Sequence, residues 1–385
     1  MTETATDRMP FPGVIDANGH ILEPPDLWER YLEPQYRERA IRIKVDERGL
    51  EYLELDGKKS KLSAHGTLGF LGGMGKMAKE TIPAPERTYL RGAPFGSMDA
   101  KERLQLMDQE GTDKAILYPM LGILWEAEVD DPEISSAYCR AYNRWILEFC
   151  ADTGGRLLPI AHLSLGDVDE AVRELERTVK AGAIGAFVAP FTISKKLHGH
   201  SDPDPLWAKA QELDVPVAIH PTLEPVAASP HLRFTGMGHK TGWYYNVFAG
   251  VGTQMAFTTF FQYGVFERFP QLKLVVLESG AGWVGFWIDR MDAFYKVPVG
   301  ASVKLKELPS TYLRRQCWIS ADPDERALTR LVDYIGTDRL MWATDFPHPD
   351  HGGHYVRELR EMLAPLPEPI QKQIAGENVK KLYKI

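Results

Sequence analysis

The stretch LKLVVLESG at residues 272–280 contains a run of apolar residues that ends in the carboxylate Glu278. Near-continuous apolarity over about five to seven residues is typical of a parallel strand that is buried on both faces. Seven other stretches share this composition, and six of them follow residue 114. The predicted strands are residues 13–19, 115–119, 157–163, 185–190, 215–221, 272–280, 316–321 and 339–345.

Helical patterns separate several of these strands. The segment DVDEAVRELERTVKAG at 167–182 opens with aspartates that can cap a helix, carries its apolar residues on one stripe and stops at a glycine. Residues 204–213 and 324–336 repeat this pattern. Alternating strands and helices at this count predict an α/β fold, a (β/α)8 TIM barrel, as a single domain over residues 1–385.

Two segments do not fit the strand–helix repeat. Residues 34–100 form a predicted insertion, an added subdomain or lid, with a small β-hairpin at 41–57 and a Gly- and Met-rich mobile loop at 66–80. Residues 222–265 follow the fifth strand and contain GWYYNVF at 242–248. Apolar, Tyr-rich segments suit a pocket wall and a dimer interface equally, and both readings stay open. We expect Trp243, Tyr244 and His239 to contact substrate.

The composition excludes several classes of partner. The 385 residues carry a formal net charge of −8, which offers no electrostatic footprint for nucleic acid or an anionic membrane. No apolar run has membrane-spanning length, and the polar N-terminus does not resemble a signal peptide. The three cysteines have no metal-binding or disulfide spacing. We expect a soluble, cytoplasmic protein, a homodimer, that acts on a small molecule.

Polar residues that end the apolar runs are the candidates for chemistry, because active sites of barrels lie at the carboxyl ends of the strands. If the first strand alternates regularly, Asp16, Asn18 and His20 share one face. The other candidates at strand ends are His220, Glu278, Asp345 and His348. Each could be a hydrogen-bonded structural residue when taken alone. Four strands that deliver such groups to one rim favour a metal site instead, since imidazoles and carboxylates bind zinc, manganese and iron(II).

The remaining histidines are less informative. His162 follows the third strand without a partner motif, which favours a structural role. Four loop histidines are expected to be solvated: His198, His200, His351 and His354. No lysine closes the strand at 185–190, so a carbamylated-lysine bridge between two metals cannot form, and any metal site should be mononuclear.

Several motifs resemble the amidohydrolase superfamily, and more closely its amidohydrolase-2 branch, typified by aminocarboxymuconate-semialdehyde decarboxylase. The stretches that carry the resemblance are VIDANGHILEP (14–24), VPVAIHP (215–221), ERFPQLKLVVLESGAGW (267–283) and IGTDRLMWATDFPH (335–348). The resemblance implies a barrel with one divalent metal. It also implies non-oxidative decarboxylation of aromatic or dienoic acids, with hydrolysis and hydration as other reactions of the branch.

The family's ligand pattern can be carried over residue by residue. The His-x-His or Glu-x-His of the first strand falls on Asn18 and His20, and the strand-five and strand-eight ligands fall on His220 and Asp345. The strand-six histidine falls on Glu278. Asn18 is a weak donor, whereas Glu278 is a carboxylate. We therefore expect His20, His220, Asp345 and Glu278 to hold the metal, with Asn18 as a weak or outer partner and zinc ahead of manganese or iron.

Three hypotheses for function follow. In a decarboxylase, Asp345 or Glu278 would pass a proton to the carbon that loses carbon dioxide. In a hydrolase of an ester, lactone, amide or conjugated ketone, Asp345 would accept a proton from water while His348 or Glu278 assists the leaving group. Family resemblance favours the first reaction, while repulsion between Glu278 and a substrate carboxylate favours the second. The third hypothesis is a metal-free barrel that binds a ligand without turnover, for which Asn18 is the evidence.

Overall fold

An eight-stranded parallel sheet forms the centre of the computed structural model, which describes residues 8–225 and 242–385. Its strand order is β1-β5-β6-β7-β8-β9-β10-β11. The bounds are β1 Ile15–Ile21, β5 Lys114–Pro119, β6 Leu157–His162, β7 Gly185–Val188, β8 Val217–Ile219, β9 Leu274–Val276, β10 Cys317–Ala321 and β11 Leu340–Trp342. A three-stranded antiparallel sheet contains β2 Arg42–Val45, β3 Glu51–Leu55 and β4 Lys58–Lys59.

Hydrogen bonds between the first strand and the residues after the last strand bring the two edges of the sheet together. The carbonyl of Asn18 accepts the N–H of Asp345 at 2.9 Å, and the N–H of His20 donates to the carbonyl of Phe346 at 2.8 Å. These bonds join the ends of a right-twisted parallel sheet into a barrel. The (β/α)8 TIM barrel predicted from the sequence is confirmed.

The strands are buried along their length, as their composition predicts. All seven residues of β1, all six of β6 and all four of β7 are buried. Both faces of each strand are covered, one by the barrel interior and the other by helices. This burial explains why continuous apolar runs, rather than alternating ones, located the eight strands.

Helices cover the outside of the sheet. Capping residues set several boundaries: the side chain of Asp167 accepts the N–H of Glu170 at the start of the helix predicted at 167–182. The helices are α1 Leu27–Tyr31, α2 Tyr89–Gly92, α3 Ala100–Glu110, α4 Pro132–Ala151, α5 Val168–Lys180, α6 Asp204–Leu213, α7 Gly242–Phe248, α8 Val251–Gln262, α9 Val265–Arg268, α10 Trp283–Tyr295, α11 Pro309–Gln316, α12 Val332–Ile335, α13 Tyr355–Leu363, α14 Glu368–Lys372 and α15 Asn378–Tyr383.

The prediction of a single helix at 324–336 is wrong. The structure has a 3-10 turn at Leu328–Arg330 and the short helix α12, which ends before Gly336 at a φ of 114°. The side chain of Glu325 accepts the backbone N–H groups of Ala281 and Gly282. These tertiary bonds occupy the residues that would have formed the first helical turn, so the regular helix does not begin there.

The glycine-rich loop of the insertion packs on the loop that follows β11. The N–H of Met74 donates to the carbonyl of Pro347 at 3.2 Å, and the N–H of Gly75 donates to that of His351 at 3.1 Å. The segment predicted as a mobile loop is therefore hydrogen-bonded beside the carboxyl ends of the strands. Its role as a lid stays a prediction.

Part of the segment at 222–265 is described. It contains α7 and α8, while residues 226–241, which include His239, lie outside the described residues. Within the described ranges, every helix is too short or too polar to cross a lipid bilayer.

Candidate metal centre

A bulge in the first strand sets the direction of its polar side chains. Asp16 pairs with Ala115 of β5, whereas Gly19 pairs with Leu117, so β1 carries one extra residue between these two pairs. Such a bulge redirects the side chains that follow it. The expectation that Asp16, Asn18 and His20 share one face is therefore wrong.

The bulge separates the contacts of the three side chains. Asp16 accepts a hydrogen bond from the hydroxyl of Thr344 at 2.6 Å, while Asn18 and His20 both reach Glu278. Asn18 and His20 therefore belong to the candidate metal centre, and Asp16 lies behind it.

Glu278, which follows β9, is the point on which the other candidates converge. Its Oε2 atom lies 3.0 Å from Nε2 of His220 and 3.2 Å from Nε2 of His20. The Oδ1 atom of Asp345 lies 3.1 Å from the same His20 nitrogen. The four residues proposed from the sequence as principal ligands thus meet within a few ångströms, although they come from four separate strands.

Both imidazoles are oriented for metal binding. The Nδ1 atom of His20 bonds to the carbonyl of Pro119 at 2.8 Å, and Nδ1 of His220 bonds to the carbonyl of Pro221 at 2.6 Å. A carbonyl can only accept, so Nδ1 carries the proton in each ring. In the neutral rings the Nε2 lone pairs therefore face the carboxylates, which is the tautomer that ligates a metal.

Several buried polar atoms of this centre make no well-formed hydrogen bond with the described residues, although charged groups lie close to three of them. They are Oδ1 of Asn18, Nε2 of His220 and both carboxylate oxygens of Asp345. Buried polar atoms normally have a partner, and a site for a bound ion is one of the recognised explanations when they lack one. Two imidazole nitrogens and two carboxylates are also the donors that zinc, manganese and iron(II) accept. The residues present therefore fit one divalent cation.

The two carboxylates of the centre raise the pKa of His20. Burial alone would lower the pKa of the His20 imidazole. The interactions with Asp345 and Glu278 outweigh this effect and raise the pKa to about 9. Burial raises the pKa of the Glu278 carboxyl, yet its interactions with the imidazoles of His220 and His20 hold it well below its usual range. The environment favours a positive charge where Nε2 of His20 meets the carboxylates.

Glu278 and Asp345 also have unusual backbone conformations. Their φ angles are 45° and 59°, in the left-handed region that residues with a Cβ rarely occupy. Such residues each cost of order 1–3 kcal/mol and persist where the surrounding structure holds them in place. Two of the candidate ligands are thus strained, which is typical of functional sites.

A second group of residues lies on the other side of Asp345. Nδ1 of His348 is 3.2 Å from Oδ2 of Asp345 and 3.0 Å from Oδ2 of Asp350. Burial lowers the pKa of His348, but Asp350 and Asp345 raise it well above its usual value. His348 therefore holds a proton next to Asp345. Glu278, Asp345, His348 and Asp350 lie close enough together to be considered as metal donors themselves.

Some residues near the centre were missed or misread in the sequence. His351, expected to be solvated, has its Nε2 atom 3.7 Å from Oδ2 of Asp345. His198 is also buried, with Nε2 bonded to the carbonyl of Ala189. Burial raises the pKa of Asp322, which follows β10, to about 7. Its position directly after a predicted strand was the available signal.

Of the three expected substrate-contacting residues, Trp243 is the one whose side chain the structure describes. The side chain of Trp243 is 81% exposed, which does not support a role in the site. The side chain of Tyr244 and all of His239 lie outside the described part of the chain. His162, expected to be structural, is buried, and its Nε2 lies 3.2 Å from Glu126.

A cavity adjoins the carboxyl ends of β7 and β8. Its volume is about 840 Å³, and its lining includes Glu126, Pro190, Glu224 and Trp287. This volume lies in the range of small-molecule sites, which are mostly apolar with a few placed polar groups.

The fold and the donor set together are those of metal-dependent barrel enzymes. The chain belongs to the amidohydrolase family, because the Amidohydro_2 family model, described as amidohydrolase, matches residues 15–385. The resemblance noted in the sequence is confirmed.

Comparison with known proteins gives relatives of two kinds. Gamma-resorcylate decarboxylase from Polaromonas sp. (strain JS666 / ATCC BAA-500) is 26% identical over 338 residues, covering 81% of this chain and 99% of that protein. The solved amidohydrolase map2389c from Mycobacterium avium subsp. paratuberculosis K-10 superposes with a TM-score of 0.80 at 23% identity, covering 97% of this chain and 99% of the other. The chain is thus similar in sequence to a decarboxylase and in fold to an amidohydrolase.

Similar solved structures with a bound metal include a decarboxylase. The dihydroxybenzoic acid decarboxylase from Polaromonas sp. JS666, with bound manganese and the inhibitor 2-nitroresorcinol, superposes with a TM-score of 0.65 at 17% identity. The match covers 97% of each chain. A protein of this fold therefore binds manganese.

Proposed function

We propose that the protein is a metal-dependent carboxy-lyase that removes carbon dioxide, without oxidation, from an aromatic or conjugated carboxylic acid. The observation that carries the proposal is the convergence of His20, His220 and Asp345 on or beside Glu278, with both imidazoles held in the ligating tautomer. The similarity to gamma-resorcylate decarboxylase supplies the reaction class.

His20, His220, Asp345 and Glu278 would hold the cation, and Asn18 would contribute at most a neutral amide oxygen. When bound, a divalent cation there supplies Lewis-acid stabilisation of negative charge on the substrate oxygens. Zinc suits this mixed donor set, while the manganese of the related decarboxylase makes manganese the direct competitor and iron(II) a third candidate. Elemental analysis distinguishes them.

Asp345 has two oxygens with different surroundings. Oδ1 faces His20 at 3.1 Å, and Oδ2 faces the Nδ1 atom of His348 at 3.2 Å. One oxygen can therefore act as a ligand while the other exchanges a proton with His348. Asp345 Oδ2 passes this proton to the carbon that bears the carboxylate, the carbon–carbon bond breaks, and carbon dioxide leaves. Solvent returns the proton to His348.

Hydrolysis is the second candidate, and the ionised state of Glu278 favours it. The pKa of this carboxyl lies well below its usual range, so a negative charge stands beside the position that a substrate carboxylate would occupy. An uncharged ester or lactone would avoid this repulsion. In that reaction, Asp345 would accept a proton from water, and His348 or Glu278 would assist the leaving group.

Product analysis decides between the two reactions. Purified protein, supplied with manganese or zinc, is incubated with a panel of ring-hydroxylated benzoates and separately with aryl esters and lactones. The proposal expects carbon dioxide release from a benzoate, and loss of that release in Asp345→Asn. Turnover confined to esters or lactones would replace the lyase with a hydrolase. Turnover of nothing, together with no bound metal, would favour the metal-free binding protein.

We also propose that the protein is a homodimer. Four large apolar side chains on α7, α8 and α10 are strongly exposed: Trp243, Val247, Met255 and Phe286. Helix α8 follows α7 in the chain, and Trp287 of α10 donates to Thr258 of α8, so the exposed apolar residues lie on adjoining helices, which favours a protein interface. Light scattering after size exclusion would measure the mass, and a monomer at micromolar concentration would contradict this assembly.

A further inference from the structure

Two buried polar side chains, an aspartate and an arginine, lie directly behind the candidate metal centre. Asp16 of β1 is 3% exposed, and Arg103 of α3 is 2% exposed. Both side chains lie close to Gly19: a Cβ added at this residue would lie 2.6 Å from Oδ2 of Asp16 and 3.1 Å from Nη2 of Arg103. Neither side chain reaches the ligand atoms themselves, so the pair acts through other residues.

Asp16 contacts Asn18 itself and the residue that precedes Asp345. Its carboxylate accepts the hydroxyl of Thr344 at 2.6 Å and the N–H of Thr344 at 2.9 Å. It also accepts the N–H of Asn18 at 3.2 Å. Asp16 thereby ties the bulged part of β1 to the residue before Asp345.

Arg103 contacts the backbone on the other side of the same two elements. Its Nη2 donates to the carbonyl of His20 at 2.8 Å and to that of Phe346 at 3.5 Å. The guanidinium lies over the ring of Phe346, 4.7 Å from its centroid, and Nη1 donates to the carbonyl of Gly96 at 3.1 Å. Arg103 thus holds His20 and the residue after Asp345 together.

Asp345 is the residue that needs this support. Thr344 before it and Phe346 after it are both anchored, one by Asp16 and the other by Arg103. Its own backbone is in the left-handed region, with φ at 59°. A strained conformation persists only where the surrounding contacts over-determine it.

We propose that Asp16 and Arg103 are positioning residues that set the spacing between His20 and Asp345 and so determine the affinity of the centre for its cation. The inference rests on the proposed metal site. Both side chains act through hydrogen bonds, Asp16 to Thr344 and Asn18 and Arg103 to the carbonyls of His20 and Phe346, so their contribution here is geometric. Residues that orient metal ligands in this way typically change metal affinity by about 10- to 100-fold when substituted.

The test uses three substitutions of increasing mildness and one matched control. Asp16→Asn and Arg103→Lys weaken the pair but keep its size or charge, and Thr344→Val removes only the hydroxyl contact. The control is Leu175→Ala. Leu175 is fully buried in α5, away from the centre, so this substitution destabilises the core without altering the residues around β1. Metal affinity is measured by competition with a chelator.

A second readout needs no metal. The amides of His20 and Asp345 donate the hydrogen bonds that join β1 to the residues after β11. Their hydrogen exchange is measured in protein from which metal has been removed. The proposal expects faster exchange at these two amides in Asp16→Asn, Arg103→Lys and Thr344→Val. It also expects their metal affinity to be about 10- to 100-fold lower. Leu175→Ala should match the wild type in both measurements.

Wild-type exchange at both amides in the three variants overturns the proposal, and so does equal acceleration in Leu175→Ala. Unchanged metal affinity with faster exchange also overturns it, because the spacing would then not determine affinity. If the wild-type protein binds no zinc, manganese or iron, the proposed metal site itself is wrong. The affinity measurement on wild-type protein shows this before any variant is compared.

Discussion

The amide of Asn18 lies against the carboxylate of Glu278, with Nδ2 and Oε2 3.3 Å apart, although 260 residues separate them in the chain. These are the two positions at which the sequence departs from the family's ligand pattern. A neutral amide at one position therefore faces a carboxylate at the other. Our account is that Glu278 has taken over the negative charge that the first strand lacks.

Asp345→Asn should reduce turnover about 10²- to 10⁴-fold, the usual contribution of a positioned acid or base. The amide keeps the shape of the side chain but cannot pass a proton from His348 to substrate. Asp108→Asn is the matched control, because Asp108 is a surface aspartate that pairs with Arg156 at 2.6 Å and lies outside the candidate metal centre. It should lower the rate far less, and equal losses in both variants would contradict the role given to Asp345.

His220→Ala should abolish metal-dependent turnover, because it removes one of the imidazole donors. It also removes the contact between Nε2 of His220 and Oε2 of Glu278, which are 3.0 Å apart. The rate of carbon dioxide release is measured at saturating metal. The control is His200→Ala, because His200 pairs with the exposed Asp202 and not with the metal centre. This variant should keep the wild-type rate. Retained turnover in His220→Ala would remove this histidine from the site.

Glu33 predicts a dependence of stability on pH that is independent of the metal. Burial raises the pKa of its carboxyl, but hydrogen bonds from Arg144 and Arg140 on α4 lower it further, to about 2. A pKa below the ordinary 4.5 means that the pairing stabilises the fold above pH 4.5 and is lost as the pH falls toward 2. Glu33→Gln should therefore lower the Tm most near neutral pH, with the difference from wild type shrinking in acid.

The control for Glu33 is an exposed pair. Glu176→Gln removes the contact with Lys180 on the surface of α5, where ion pairs contribute little. Its Tm should follow that of the wild type at every pH. A Glu33→Gln difference that stays constant from neutral to acidic pH would show that charge is not the cause.

Gly376→Ala should destabilise the fold. The residue lies in the π-helical turn Gln373–Glu377, and an added Cβ would stand 2.0 Å from the carbonyl oxygen of Gly13. Overpacking of this kind costs about 1–3 kcal/mol of unfolding free energy. Gly352→Ala is the control, since its Cβ would meet only Glu358 Oε1 at 3.8 Å. Urea denaturation of both variants should separate them, and equal midpoints would contradict the packing at Gly376.

The fold could be predicted because its strands are buried on both faces. Runs such as residues 185–190 are apolar throughout, as expected for strands of a barrel that are covered on both faces. The helix predicted at 324–336 failed for a tertiary reason: Glu325 bonds to the backbone of Ala281 and Gly282, and such contacts between distant residues leave no local pattern in the sequence.

The candidate site was predictable to a similar degree. His20, His220, Glu278 and Asp345 each end a strand, so the topology alone placed them at one rim. The bulge that turns Asp16 away from Asn18 was not predictable, because it depends on pairing with β5. His351 was misread because a loop of high polarity gave no sign that it returns to Asp345.

Metal content is the measurement that tests the central claim most directly. Wild type, Glu278→Gln and Asn18→Ala are each loaded with manganese or zinc, passed over a desalting column and analysed for metal per chain. Our account predicts about one divalent ion in wild type and in Asn18→Ala, and at least about tenfold weaker binding in Glu278→Gln. Full metal content in Glu278→Gln with loss in Asn18→Ala, or no metal in wild type, would contradict it.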